Sequence, residues 1–244
     1  MIWSGSAVGA EIGPSVLASG RPISGVLIEG PIAVGDFAKF EAILLRRSNA
    51  DPIWLASPGG DLSEAMKIGQ LIRELKLSVE APKESLEFFP LLRDKRNAVC
   101  ASACFFVYAA GVYRSGSALG LHRPYFSREF YAARTLDDAA KSQAVAFGYA
   151  AEYLRNMGIE AGIVDRIPSI AANDILWLNE DQIKGLSGFI PIYAEWFRNK
   201  CQVTKLSENF PMAEQQAKCR IELLLQEQER AKFAWLLKTA PKSK

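Results

Sequence analysis

Asn97-Ala98-Val99-Cys100-Ala101-Ser102-Ala103-Cys104-Phe105-Phe106-Val107-Tyr108-Ala109-Ala110-Gly111 is the stretch whose reading decides this chain. A short apolar segment, Ala98-Val99, runs into a helix expected from about Ala101 to Ala110. That helix has no polar face, so it belongs inside a core. Ser102 stands at its start, between the small residues Ala101 and Ala103. The first N–H groups of a helix lack intrahelical partners, so the Ala103 amide is positioned to receive an oxyanion. A plain N-cap serine would read the same way.

A serine hydroxyl is a weak nucleophile and needs an adjacent base. The only histidine of the 244 residues is His122, where the strand expected over Ser117-Ala118-Leu119-Gly120-Leu121 ends before Arg123-Pro124. Upstream, Ser57-Pro58-Gly59-Gly60-Asp61 is a glycine turn at a strand-to-helix junction. Glycines let a backbone approach a ligand closely, and amides beside a helix N-terminus suit developing negative charge. A simple tight turn accounts for the residues equally well.

Around these motifs strands and helices alternate. Residues 25–30 and 52–56 read as buried strands, and 36–47 as a helix with Phe37, Phe40, Ile43 and Leu44 on one face. Asp61 caps a helix running to about Leu75, with an apolar stripe of Ile68, Leu71, Ile72 and Leu75, and with Gly69 as a weak point. Leu77 to Ala81 is a third strand. This alternation predicts an α/β fold with a mainly parallel sheet. Residues 82–96 form an irregular excursion that could overhang the site, and the pair Phe88-Phe89 in it needs burial. Thr135 to Met157 is a long helix, Asn179 caps a short one through Lys184, residues 192–208 look less regular, and Met212 to Leu237 is a long amphipathic helix.

Composition bounds the function. Apolar residues make up 49% and charged residues 23%, as in globular domains, and the net charge is +2. The basic residues are dispersed, which argues against nucleic acid as a partner. No run of roughly 18 apolar residues occurs, so no membrane span is expected. Residues 1–10 lack the basic and apolar regions of a signal peptide as they stand. No Cys/His spacing suggests a metal site, and no cofactor is implied. Cys100 and Cys104, and Cys201 and Cys219, permit two disulfides among three possible pairings. Two small buried side chains explain the first pair as simply as a staple does, since a disulfide within one helix is strained. The second would close a loop of about 17 residues, worth roughly 3 kcal/mol. Disulfides would fit a periplasmic or otherwise exported protein, and free thiols a cytoplasmic one.

Taken together, the segments resemble the Clp protease proteolytic subunit family within the ClpP/crotonase-like fold, closest to its exported bacterial relatives. The resemblance lies in Ser57-Pro58-Gly59-Gly60, in Ala101-Ser102-Ala103 through Ala109-Ala110-Gly111, in His122 with Pro124, and in Leu176-Trp177-Leu178-Asn179 through Gly185. It implies a spiral of β-β-α units over residues 24–190, with an N-terminal arm at 1–23 and a C-terminal helical extension at 191–244. It further implies Ser102 as nucleophile, His122 as general base, and amides of Ala103 and of Gly59 or Gly60 as the oxyanion hole. For the acid that orients the imidazole, Asp174 is the first candidate and Asp165 the second; Asn173 could serve without charge. The family's glutamine and glycine before the serine are replaced by Val99-Cys100-Ala101.

Three functions are open at this point: a serine hydrolase acting on peptides, an inactive binding or assembly module, and a crotonase-type acyl-CoA enzyme with Glu64 near the glycine turn. The resemblance implies a peptide or protein substrate and a homo-oligomer; the amphipathic residues 212–237, outside the resemblance, are either a contact surface or packed on their own domain.

Overall fold

The computed structural model describes residues 9–47, 50–83, 89–126, 128–171, 173–201 and 212–239. Strands β1 (Glu11–Val16), β2 (Pro22–Glu29), β3 (Ile53–Ala56), β4 (Val79–Glu80), β6 (Tyr113–Ser115) and β9 (Gly188–Phe189) make a six-stranded sheet in the order β1-β2-β3-β4-β6-β9. Its four inner strands are parallel, and the two edge strands are antiparallel to their neighbours. A second sheet holds β5 (Cys100–Ala101), β7 (Leu119–Leu121) and β8 (Leu176–Trp177) in the order β5-β7-β8. Helices α1 (Asp36–Arg46), α2 (Leu62–Glu74) and α3 (Ala103–Ala109) connect successive strands. The architecture is the expected α/β one, with a mainly parallel sheet and a C-terminal helical appendage.

Side-chain alternation sets the layers. In β3, Ile53 and Leu55 join the main core with Ile68 and Ile72 of α2, whereas Ala56 faces the opposite side and packs with Phe89 and Leu92. Trp54, also on that side, meets Phe89 edge-on at 5.3 Å. Residues 89–94 of the 82–96 excursion therefore cover the outer face of the sheet. Glu29, buried at the end of β2, holds them there by accepting the N–H groups of Arg93 and Asp94 at 3.0 and 2.8 Å. Phe88, with residues 84–87, lies outside the described residues.

The N-terminal segment contributes more than an arm, because β1 pairs with β2 as an edge strand of the main sheet. The fully buried Asp36 ties the chain before β1 to α1: its carboxylate accepts the N–H groups of Ala10 and Ala33, each at 2.8 Å. Glu64 of α2 performs the same service for the N-terminus of α1, accepting from Gly35 at 3.1 Å and Phe37 at 2.9 Å.

The later helices are α4 (Arg128–Ala132), α5 (Leu136–Asn156), α6 (Ala161–Val164), α7 (Glu180–Leu186), α8 (Pro191–Lys200) and α9 (Met212–Thr239). Asn179 forms a full capping box with Gln182 at the start of α7. The expectation that residues 192–208 are irregular fails over its first half. Pro191 opens α8, and Tyr193, Trp196 and Phe197 pack with Phe189 and Val112. Residues 202–208 lie outside the described residues. Helix α9 returns to its own domain: Gln228 Nε2 donates to the Lys76 carbonyl at 2.9 Å, Lys238 pairs with Glu74 at 2.6 Å, and Trp235 is buried. Among the described residues, no helix is long and apolar enough to cross a membrane.

The Lys67 ammonium, together with the Phe37 and Gly35 N–H groups, holds the Glu64 carboxyl below the ordinary glutamate value despite its burial. A group depressed in the folded state contributes stability above its unfolded pKa and loses it as pH falls through the folded value. Glu64→Gln is therefore expected to lower unfolding free energy by about 1–2 kcal/mol at pH 7. That gap should close on acidification below about pH 4.5. Urea titrations of both proteins at several pH values check this.

Candidate active site

The serine sits at a joint between the two sheets. Beyond β3 the chain continues parallel to β5 through a bridge between Ser57 and Cys100. Ser57 N–H donates to the Val99 carbonyl at 2.8 Å, and Ala101 N–H donates to that of Ser57 at 3.1 Å. On its other side β5 pairs with β7, Ala101 opposite Gly120, and the Ser102 N–H donates to the Gly120 carbonyl at 3.0 Å.

At Ser102 the chain reverses into α3 with φ 54° and ψ −123°. A non-glycine residue at positive φ is strained by contact of its Cβ with the backbone, and the cost is of order 1–3 kcal/mol. Such a turn projects the side chain off the end of the strand. The serine makes no side-chain cap bond to its helix, so its hydroxyl is not spent there. The Ala103 N–H has no acceptor among the described residues.

Helix α3 is buried along its whole length. At its C-terminal end Arg73 Nε donates to the Ala110 carbonyl at 2.7 Å, and its Nη2 to Ala109 at 3.1 Å and Met157 at 3.2 Å. The buried Arg114 donates to the carbonyls of Gly111, Ala109 and Met157. Desolvation, with the neighbouring Arg73 charge, pushes the Arg114 guanidinium down to about 10. Two cations thus complement the negative end of the helix whose positive end carries the serine. Tyr153 of α5 adds a bond to the Phe106 carbonyl at 3.0 Å. Gly69 is explained by the same contact: a Cβ there would lie 1.9 Å from the Tyr153 hydroxyl.

The glycine turn is pressed against this elbow. A Cβ on Gly59, whose φ is 106°, would fall 2.6 Å from Ser102 Cβ and 2.9 Å from the Ala103 nitrogen. Either amide of the turn is a candidate oxyanion donor, and their hydrogen bonding differs. The Gly59 N–H is engaged by Ser57 Oγ at 3.1 Å. Gly60 stands opposite Ile32 in a parallel bridge; Ile32 bonds the Gly59 carbonyl and the Asp61 N–H, each at 2.8 Å. The Gly60 N–H consequently points away from Ile32, and it has no acceptor among the described residues. Asp61 caps α2, its Oδ1 accepting the Glu64 N–H at 2.8 Å.

His122 follows β7. The parallel register carries residues 102 and 122 out of the same end of the small sheet. Ser102 and His122, with Gly60 and Ala103, line one cleft of about 570 Å³. The Tyr125 ring meets the imidazole edge-on at 5.3 Å. The walls add Met66, Phe106 and Tyr149 from three helices, a lining hidden in the sequence because each residue also fits an ordinary core stripe.

The acids are less well placed. The antiparallel register of β8 on β7, Leu176 opposite Leu121, runs Asp174 alongside the chain just after His122. Its carboxylate is exposed and accepts the Ile175 N–H at 2.9 Å. Asp165 is exposed and paired with Arg155 at 2.8 Å. Neither lines the cleft, and Asn173 is also exposed. The described part of the 82–96 excursion does not line it either.

Both cysteine pairs are disulfides, Cys100–Cys104 and Cys201–Cys219. The objection to the first falls because Cys100 lies in β5 and only Cys104 in the helix, so the bond spans the serine elbow.

No family model matches the chain, and no curated protein matches it. Among solved structures it is similar to a mutant of ClpP1 from Listeria monocytogenes, at 18% identity and a TM-score of 0.45, over 66% of this chain and 85% of that one. It is also similar to a mutant of the membrane-bound stomatin-specific protease 1510-N, at 16% identity and a TM-score of 0.43, over 72% and 83%. Likenesses this distant carry no assignment of activity.

Relieving the strain at the elbow should stabilise the fold. Ser102→Gly is expected to raise unfolding free energy by about 1 kcal/mol, because glycine accepts positive φ freely. Gly59→Ala should lower it by about 2 kcal/mol or more, since the methyl group meets backbone atoms that cannot yield. Denaturant titrations measure both.

Proposed function

We propose that the chain is a serine hydrolase acting on peptides. Ser102 Oγ attacks the substrate carbonyl while His122 accepts its proton. The oxyanion is received by the N–H groups of Gly60 and Ala103. His122 then protonates the leaving amine, and a water molecule hydrolyses the acyl-enzyme by the same steps. The observation that carries this reading is the positive-φ serine, its hydroxyl unspent, opening on a cleft shared with the only histidine and two amides. Asp174 is kept as the group that orients the imidazole, on the strength of the β7–β8 register.

The acyl-CoA reading finds no support, because Glu64 is engaged with the N-terminus of α1 and does not line the cleft. The reading as an inactive binding module draws on one observation, the exposed Asp174 carboxylate bonded to its own neighbour. Two disulfides favour an oxidising compartment, and the periplasm is the location proposed. Self-assembly is also proposed, supported by Leu136, Val145 and Tyr149 left exposed along α5.

A fluorophosphonate probe is expected to label the wild type and to leave Ser102→Ala unlabelled. Its complete failure on folded protein would favour the binding module. Peptidase activity should fall by about 10³-fold or more in His122→Ala. Asp174→Asn should fall about a hundredfold through loss of ring orientation, and Asp165→Asn should match wild type. Steady-state kinetics on a common peptide substrate separate these outcomes.

A further inference from the structure

The residue after the histidine carries a charge that no ion pair answers among the described residues. Arg123 lines the cleft beside His122. Its Nε is buried with no hydrogen-bond acceptor among the described residues. Among the described residues the arginines held in ion pairs are Arg93, Arg96, Arg155 and Arg230, and Arg123 is not one of them. Among the described residues the only acid lining the same cleft is Asp61, whose carboxylate caps α2. Most of the remaining wall is apolar or aromatic, which strengthens any charge interaction made inside it.

A guanidinium presents Nε–H and Nη–H in a planar fork that fits the two oxygens of a carboxylate. Burying one arm of that fork without an acceptor disfavours the empty cleft relative to one holding an anion. We propose that Arg123 selects the substrate by receiving a carboxylate of the bound peptide. That carboxylate is either an Asp or Glu side chain beside the scissile bond or the free C-terminus of the peptide. The inference deepens the hydrolase reading and rests on it for the meaning of the cleft. Arg123 adjoins the general base in sequence but takes no part in proton transfer; its role is recognition.

The test is binding to the Ser102→Ala protein, so that no turnover is required. Octapeptides carrying an uncharged dye, matched except for Glu, Gln or Lys scanned through each position, are made with free and with amidated C-termini. Fluorescence anisotropy should show the preferred carboxylate bound about tenfold or more tightly than its neutral counterpart, as expected for a charge-assisted pair. A preference that follows the Glu position identifies a side chain; one that follows amidation identifies the C-terminus.

Adding Arg123→Gln should erase the preference, Arg123→Lys should restore part of it, and Arg123→Glu should turn it toward Lys-bearing peptides. Equal binding of Glu, Gln and Lys peptides together with equal binding of free and amidated C-termini, no binding of any peptide, or a preference that survives Arg123→Gln overturns the proposal. Should that variant not fold, the comparison of peptides on the Ser102→Ala protein decides alone. Failure of the hydrolase reading is seen separately, as absence of fluorophosphonate labelling at Ser102, and would leave the binding preference measurable.

Discussion

The whole site depends on one close approach, that of Gly59 to the Ala101–Ala103 backbone. No side chain fits between them, since even a methyl group would fall within 3 Å of three atoms of the elbow. The approach also welds the two sheets, because the backbone bonds of Ser57 on Val99 and Ala101 run through the same place. A single seam thus fixes the serine, the glycine turn and, through β5 and β7, the histidine. Rigid elements meeting at one joint hold reacting groups more closely than loops would.

The second constraint is electrostatic. An apolar helix buried end to end must satisfy its terminal carbonyls without water. Arg73 and Arg114 do so for α3, and they bond the end of α5 as well, at the Met157 carbonyl. With its far end anchored by fixed cations, α3 cannot slide along its axis. Its N-terminal amides therefore stay where the serine turn presents them.

How much of this could be read in advance follows from range. The serine elbow, the glycine turn and His122 were legible because each is a local pattern with its own chemistry. The caps at Asp61 and Asn179 were legible for the same reason. Gly69 read as a weakness of α2, and its purpose is visible only once Tyr153, far along the chain, is packed against it. Arg73 and Arg114 were not singled out in the sequence, because nothing local marks a guanidinium that will be packed under two helix ends. Helix α8 was missed because its stability comes from aromatic contacts with Phe189 and Val112 rather than from a clean apolar stripe. The acid stayed ambiguous because β8 is only two residues long, and a shift of one residue in register puts Asn173 or Ile175 where Asp174 runs, alongside the chain just after His122.

Helix α9 is joined to the rest of the chain twice, once through the backbone and once through the Cys201–Cys219 bond. A nick anywhere in the stretch that the bond closes would cut the polypeptide without releasing the helix. Its contacts with Lys76 and Glu74 would then survive until the sulfur linkage itself was reduced. Gel bands run with and without thiol would tell an intact chain from a cut one that is still held together.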